Sequence, residues 1–122
     1  MNKEVETMDE LSILRGIVDS YPYPIVFVDD QYVIRFMNRY ARYHYNVERG
    51  YGDLIGKSLF DCHNDEKSRE RIMQSFEAMK KDGKERFVGV NLRNLRIYMQ
   101  PVRGADGKVC GFFERFELNL QK

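Results

Sequence analysis

The spacing of hydrophobic residues divides this chain into helical and extended segments. Behind Asp9, a candidate N-cap, apolar side chains recur at the spacing of one helix face; they are Leu11, Leu14, Ile17 and Val18. This pattern predicts an amphipathic N-terminal helix over residues 9–20, which Pro22 ends because a proline disfavours helix at the residue before it. The polar residues 1–8 are expected to form a flexible tail.

Short runs of β-branched and aromatic residues predict five strands. They cover residues 25–28, 32–37, 86–91, 95–103 and 108–118. Asp29-Asp30-Gln31 supplies turn chemistry between the first two strands, and Gly104-Ala105-Asp106-Gly107 supplies it between the last two. Both connections are therefore expected to be hairpin turns.

The clearest helical pattern lies between the two groups of strands. Ile72, Phe76 and Met79 form an apolar stripe, Asn64 or Asp65 is placed to cap the start, and Gly83 is placed to end the helix. A long helix is predicted from about residue 65 to 82. A shorter helix over residues 39–47 would place one set of side chains on a single face; they are Tyr40, Tyr43, His44 and Val47.

This order of elements predicts an α+β fold, in which a five-stranded antiparallel sheet carries helices on one face. With 122 residues and 43% hydrophobic residues, the chain has material for one packed core. Residues 9–120 are therefore interpreted as a single domain.

Charge and cysteine content narrow the function classes. Lys plus Arg (20) nearly balances Asp plus Glu (19), so no overall field attracts nucleic acid or an anionic membrane, and neither partner is expected. No apolar segment is long enough for a signal peptide or a membrane span. Cys62 and Cys110 lack the spacing of a redox or metal motif. A cytoplasmic location is expected.

Several segments together resemble a PAS domain, a small sensory fold common in bacterial signalling proteins. The resemblance covers residues 11–118 and rests on the hairpin residues 25–29 and 34–38, on Leu54-Ile55-Gly56-Lys57-Ser58-Leu59, and on Gln100-Pro101-Val102 followed by Asp106-Gly107 and Gly111. Asp61-Cys62-His63 is similar to a subset of PAS proteins that carry Asp-Cys-His-Pro-Pro, although Asn64-Asp65 replaces the prolines.

The resemblance implies a non-catalytic module that senses a small molecule or binds a signalling partner, with its output in another chain or in an effector absent from this sequence. It also implies a homodimer that pairs through the helix at residues 9–20. A cavity is expected between the sheet and the helices. Its predicted apolar and aromatic wall residues are Val28, Phe36, Tyr40, Tyr43, Leu59, Phe76, Met99 and Phe113, and its predicted polar residues are His63 and Arg96.

Two cofactors are considered for this cavity. Haem is an alternative, with His63 as the axial ligand of a gas or redox sensor; the other interpretation of His63 is a residue at the start of the long helix. Flavin is not expected, because the photoreactive cysteine of flavin-binding relatives falls at Leu59 by register from Gly56. No acid and base pair or nucleophile motif predicts an enzyme.

Overall fold

A computed structural model of the chain describes residues 7–61 and 65–120. The helices are α1 (Glu10–Ser20), α2 (Arg39–Ala41), a π-helix (Arg42–Glu48), a 3-10 helix (Leu59–Asp61) and α3 (Glu66–Asp82). The strands are β1 (Val26–Asp29), β2 (Ile34–Met37), β3 (Arg86–Val90), β4 (Leu95–Arg103) and β5 (Val109–Leu118). No helix within the described ranges is long and apolar enough to cross a membrane.

The five strands form one antiparallel sheet in the order β2-β1-β5-β4-β3. β5 lies at the centre and pairs with β4 along its whole length, from Val109 opposite Arg103 to Leu118 opposite Leu95. The first hairpin thus joins the last three strands through β1 and β5. This arrangement confirms the α+β class and the five-stranded antiparallel sheet.

Helix α3 packs against the inner face of the sheet and provides much of the core. Phe76 and Met79 have no exposed surface, and the Phe76 ring lies 5.1 Å from the Phe112 ring of β5. Gly83 ends the helix in the left-handed region with φ of 69°. The nearest atoms to a Cβ placed there belong to the end of the flexible Arg103 side chain, which can move, so the backbone conformation is the reason that glycine suits this position.

Helix α1 lies beside the outer face of the sheet, next to the first hairpin. The Asp9 carboxylate accepts a hydrogen bond from the Ser12 amide at 2.8 Å, which confirms the N-cap. Leu14 and Val18 border a shallow groove with Phe27 and Phe36. No residue of α1 is buried, so its apolar stripe is only partly covered.

Asn38 connects α1, the first hairpin and α2, and its side chain is fully buried. Its Nδ2 atom donates to the carbonyl oxygens of Val18 and Tyr23, at 3.0 and 2.9 Å. Its Oδ1 atom accepts from the amides of Ile25 and Ala41, at 3.0 and 2.9 Å. One amide side chain therefore satisfies four backbone groups in three segments.

Residues 39–47, predicted as a short α-helix, form two kinds of helix. Only Arg39–Ala41 is α-helical, and Arg42–Glu48 continues as a π-helix, with the Arg49 amide bonded to the His44 carbonyl at 3.1 Å. A π-helix has a wider turn, with hydrogen bonds between residues five apart, so residues three apart no longer share a face. Tyr43, predicted to line the cavity, is 59% exposed, and Val47, predicted to share its helix face, is 67% exposed.

Candidate ligand-binding cavity

A cavity of about 410 Å³ lies between the inner face of the sheet and α3. This volume falls within the range of about 300–1,000 Å³ that small-molecule sites occupy. Most of the wall is apolar: Pro24, Val26, Val28, Ile34, Met37, Leu54, Leu59, Ile72, Val88, Met99, Phe112 and Phe116. The polar wall residues are Tyr45, Arg49, Tyr51, Ser68, Arg71 and Glu114.

Strand register determines which side chains face the cavity. Residues directly opposite each other in an antiparallel pair project to the same face, and alternate residues along a strand share it. Val28 lies opposite Phe112, and Met99 lies opposite Glu114. These four side chains therefore line the floor of the cavity together.

Three of the predicted wall residues line this cavity: Val28, Leu59 and Met99. The structure places Phe36 elsewhere, because it lies opposite Phe27 on the outer face of the sheet. There it borders the groove under α1.

Phe113 and Arg96 also lie on the outer face. Phe113 is opposite Gln100, one position out of phase with Glu114 and Met99. Arg96 is opposite Glu117, and its guanidinium carbon lies 4.4 Å from the centre of the Phe87 ring. A shift of one residue along a strand moves a side chain to the other face, which accounts for both differences.

The remaining predicted residues have other environments. Phe76 is packed in the core beside the cavity wall and is not part of that wall. The Tyr40 hydroxyl accepts a hydrogen bond from Arg93 at 3.2 Å, and Tyr43 is exposed. His63 lies outside the described residues, so the haem alternative stays a prediction. No group of three or more His, Cys, Asp or Glu side chains in residues 7–61 and 65–120 is arranged to hold a metal ion.

Two arginines border the cavity, and their side chains differ in their contacts. Arg49 donates to the Tyr51 hydroxyl at 3.0 Å, and its guanidinium carbon lies 5.3 Å from the centre of that ring. Arg71 projects from α3 with an exposed side chain. Ser68, one turn earlier on α3, donates its hydroxyl proton to Asp65 at 3.1 Å.

Glu114 is the functional candidate that sequence reasoning missed. Its side chain is exposed to the open space of the cavity, although the protein atoms packed around its place on the sheet partly desolvate the carboxyl. This desolvation raises the pKa of the Glu114 carboxyl above its ordinary value. Part of the missing signal lay in the sequence, because a glutamate between Phe112 and Phe116 shares their face.

We expect Glu114→Gln to change how stability depends on pH. A carboxyl whose folded-state pKa is raised binds protons more tightly in the folded state, so its ionisation lowers the free energy of unfolding as pH rises from the unfolded-state value toward the folded-state value. The difference in stability, variant minus wild type, should therefore increase between pH 4 and pH 7 in urea titrations.

Glu70→Gln controls for the loss of one carboxylate, because Glu70 is exposed on α3. If the free energy of unfolding of Glu114→Gln minus that of wild type stayed constant or decreased as pH rose, the result would contradict the environment described for Glu114.

Comparison with known proteins identifies the family. The PAS domain family profile matches residues 14–117, which covers both hairpins, α3 and the cavity. The chain belongs to the PAS domain family. No curated protein matches it.

Solved structures share this fold at low sequence identity. The C-terminal domain of a Streptococcus mutans protein matches with a TM-score of 0.69 at 16% identity, covering 90% of this chain and 84% of that one. A PAS domain from Colwellia psychrerythraea matches with a TM-score of 0.61 at 16% identity, covering 89% and 98%. A sensory box sensor histidine kinase from Vibrio cholerae matches with a TM-score of 0.59 at 15% identity, covering 95% and 97%.

Proposed function

We propose that this domain is a non-catalytic sensory module of a bacterial signalling system and that it binds a small organic molecule in the cavity under α3. The observation that carries the proposal is the cavity itself, which has about 410 Å³ of space and a mainly apolar wall with a few polar groups. Membership of the PAS family and the likeness to a sensory box sensor histidine kinase support a place in signal transduction.

The contacts of Asn38 support a route from the cavity to α1. Met37 lines the cavity, and the next residue, Asn38, hydrogen-bonds to the Val18 carbonyl near the end of α1. A ligand with different affinity for two packings of this hairpin would change which packing dominates. The position of α1 would then report occupancy of the cavity to a signalling partner protein.

Native mass spectrometry of the domain purified from its own host tests the proposal. We expect wild type to retain a small molecule, and we expect Ile72→Trp to lose it, because Ile72 lines the cavity and a larger side chain would fill it. Met73→Trp is the matched control, since Met73 is the next residue on α3, is 43% exposed and lies outside the wall. Equal retention by Ile72→Trp and wild type would contradict this site.

We further propose that α1 pairs with α1 of a second copy to form a homodimer. Its exposed apolar side chains form a stripe that the rest of the domain covers only in part; they are Leu11 (69%), Ile13 (42%), Leu14 (51%) and Ile17 (62%). A two-fold interface would bury the same stripe from both copies.

Replacing both Leu11 and Ile17 with Glu should convert the dimer to a folded monomer in analytical ultracentrifugation, because four buried carboxylates would face each other across the pair. Leu92→Glu is the control, since Leu92 lies fully exposed in the turn after β3. A double variant that kept the wild-type mass would exclude α1 as the interface.

A further inference from the structure

Among the residues that the structure describes, the cavity wall has a single acidic side chain, Glu114, on the central strand of the sheet. β5 is the central strand, and Phe112 and Phe116 flank Glu114 on the same face. Across the β4 pairing, Met99 is its direct neighbour. The carboxyl is thus set among apolar side chains at a fixed point of the cavity.

Glu114 makes no hydrogen bond or ion pair with any residue in the described ranges 7–61 and 65–120, whereas the buried Asn38 side chain hydrogen-bonds to four backbone groups. Desolvation by the surrounding protein raises the pKa of Glu114, so ionising its carboxyl costs more than it does in water. A ligand that donates a charged hydrogen bond would remove this cost.

The two arginines of the wall do not supply that partner. The Arg49 guanidinium is engaged with Tyr51, and Arg71 projects from α3 with an exposed side chain. Neither guanidinium lies within 4.0 Å of the Glu114 carboxylate. A carboxylate that lies among apolar side chains without a partner gains from a charged hydrogen-bond donor, because the new bond offsets the cost of desolvation.

We propose that the ligand of this cavity is an apolar organic molecule with a basic, hydrogen-bond-donating nitrogen, and that Glu114 binds this nitrogen. The inference rests on the proposed function, because it assigns a chemical class to the ligand of the same cavity. The apolar walls would contact the body of the ligand, and Glu114 would fix its orientation.

Three indole compounds with different head groups test the assignment: tryptamine carries an ammonium, tryptophol a hydroxyl and indole-3-acetate a carboxylate. The chain contains no tryptophan, so indole fluorescence anisotropy reports only the added compound. We expect wild type to bind tryptamine about tenfold more tightly than tryptophol, and indole-3-acetate most weakly.

Glu114→Gln should weaken tryptamine binding about tenfold and change tryptophol binding less than about threefold. Glu70→Gln removes the same charge from the exposed surface of α3 and should change neither affinity. Urea titration of both variants verifies that they are folded, so a loss of binding cannot come from unfolding.

Three results would overturn the assignment to Glu114: equal binding of tryptamine and tryptophol by wild type, an equal loss of both in Glu114→Gln, or no binding of tryptamine. Tightest binding of indole-3-acetate, abolished by Arg71→Gln, would overturn it in favour of an anionic ligand. If tryptophol binds and Ile72→Trp blocks it while Glu114 has no effect, the proposed cavity function stands and only this inference fails.

Discussion

Asn38→Ala is expected to lower the free energy of unfolding by about 3–4 kcal/mol. The substitution removes four hydrogen bonds from a side chain with no exposed surface. It leaves the amides of Ile25 and Ala41 and the carbonyls of Val18 and Tyr23 without this partner. Because these groups belong to three different segments, no single local rearrangement can satisfy all of them. Urea titration measures the loss.

Two further variants separate hydrogen bonding from volume. Asn38→Asp keeps the shape and the acceptor but replaces the donor with an oxygen facing two carbonyl oxygens, so it should also be strongly destabilising. Asn46→Ala is the control, because the Asn46 Oδ1 atom is buried without a hydrogen-bond partner in the described part of the chain; its effect should stay within about 1 kcal/mol. A loss below about 1 kcal/mol for Asn38→Ala would contradict the role assigned to this side chain.

Phe76→Ala is expected to lower the free energy of unfolding by about 3–5 kcal/mol, because it removes buried apolar surface and leaves an unfilled space in the core. The Phe76 side chain has no exposed surface and packs between the rings of Tyr32, at 5.7 Å, and Phe112, at 5.1 Å. Those rings belong to the β1–β2 turn and to the central strand, so the space left by the truncation cannot close without moving both.

Phe87→Ala is the matched control on β3, where the ring is 50% exposed on the outer face. In denaturant titration, Phe87→Ala should lower the free energy of unfolding by at most half as much as Phe76→Ala does. If Phe76→Ala lowered the free energy of unfolding by less than about 1 kcal/mol, Phe76 would line an open or collapsible pocket and would not be a packed core residue.

The sequence predicted the order and type of most regular elements because each carries its own local signal. The apolar stripe and the Gly83 cap define α3, which begins at Glu66 and ends at Asp82. The Asp9 cap defines α1, and the turn at residues 104–107 joins β4 to β5 as expected. These signals depend on short-range chemistry, so they can be interpreted without knowledge of the tertiary contacts.

It was harder to predict which side chains of each strand project to the inner face of the sheet. Most of the predicted cavity wall depended on that choice. β5 has aromatic residues at Phe112, Phe113 and Phe116, so alternation alone does not show which of its faces is the inner one. The expectation that cavity walls are apolar favoured Phe113, which lies on the outer face. It overlooked the next residue, Glu114, which lies on the inner face. Pairing with β4 decides between them, and the spacing of residues within one strand carries no information about that pairing.

The π-helix was missed for a related reason. Residues 39–47 have the apolar spacing of an α-helix, but their backbone changes hydrogen-bond pattern after Ala41. The change brings Tyr45 to the cavity wall in place of Tyr40 and Tyr43. Such a change depends on how the segment fits against the hairpin and the following loop, which periodicity does not describe.

Methionine methyl NMR tests the central claim, that the cavity under α3 is the ligand site, most directly. Protein labelled with ¹³C at the methionine methyl groups is titrated with the small-molecule fraction released by denaturing the domain purified from its own host. Met37 and Met99 line the cavity, whereas Met73 is exposed on α3 outside it. We expect the Met37 and Met99 signals to shift and the Met73 signal to remain unchanged. Shifts confined to Met73, or unchanged signals for Met37 and Met99, would contradict the claim.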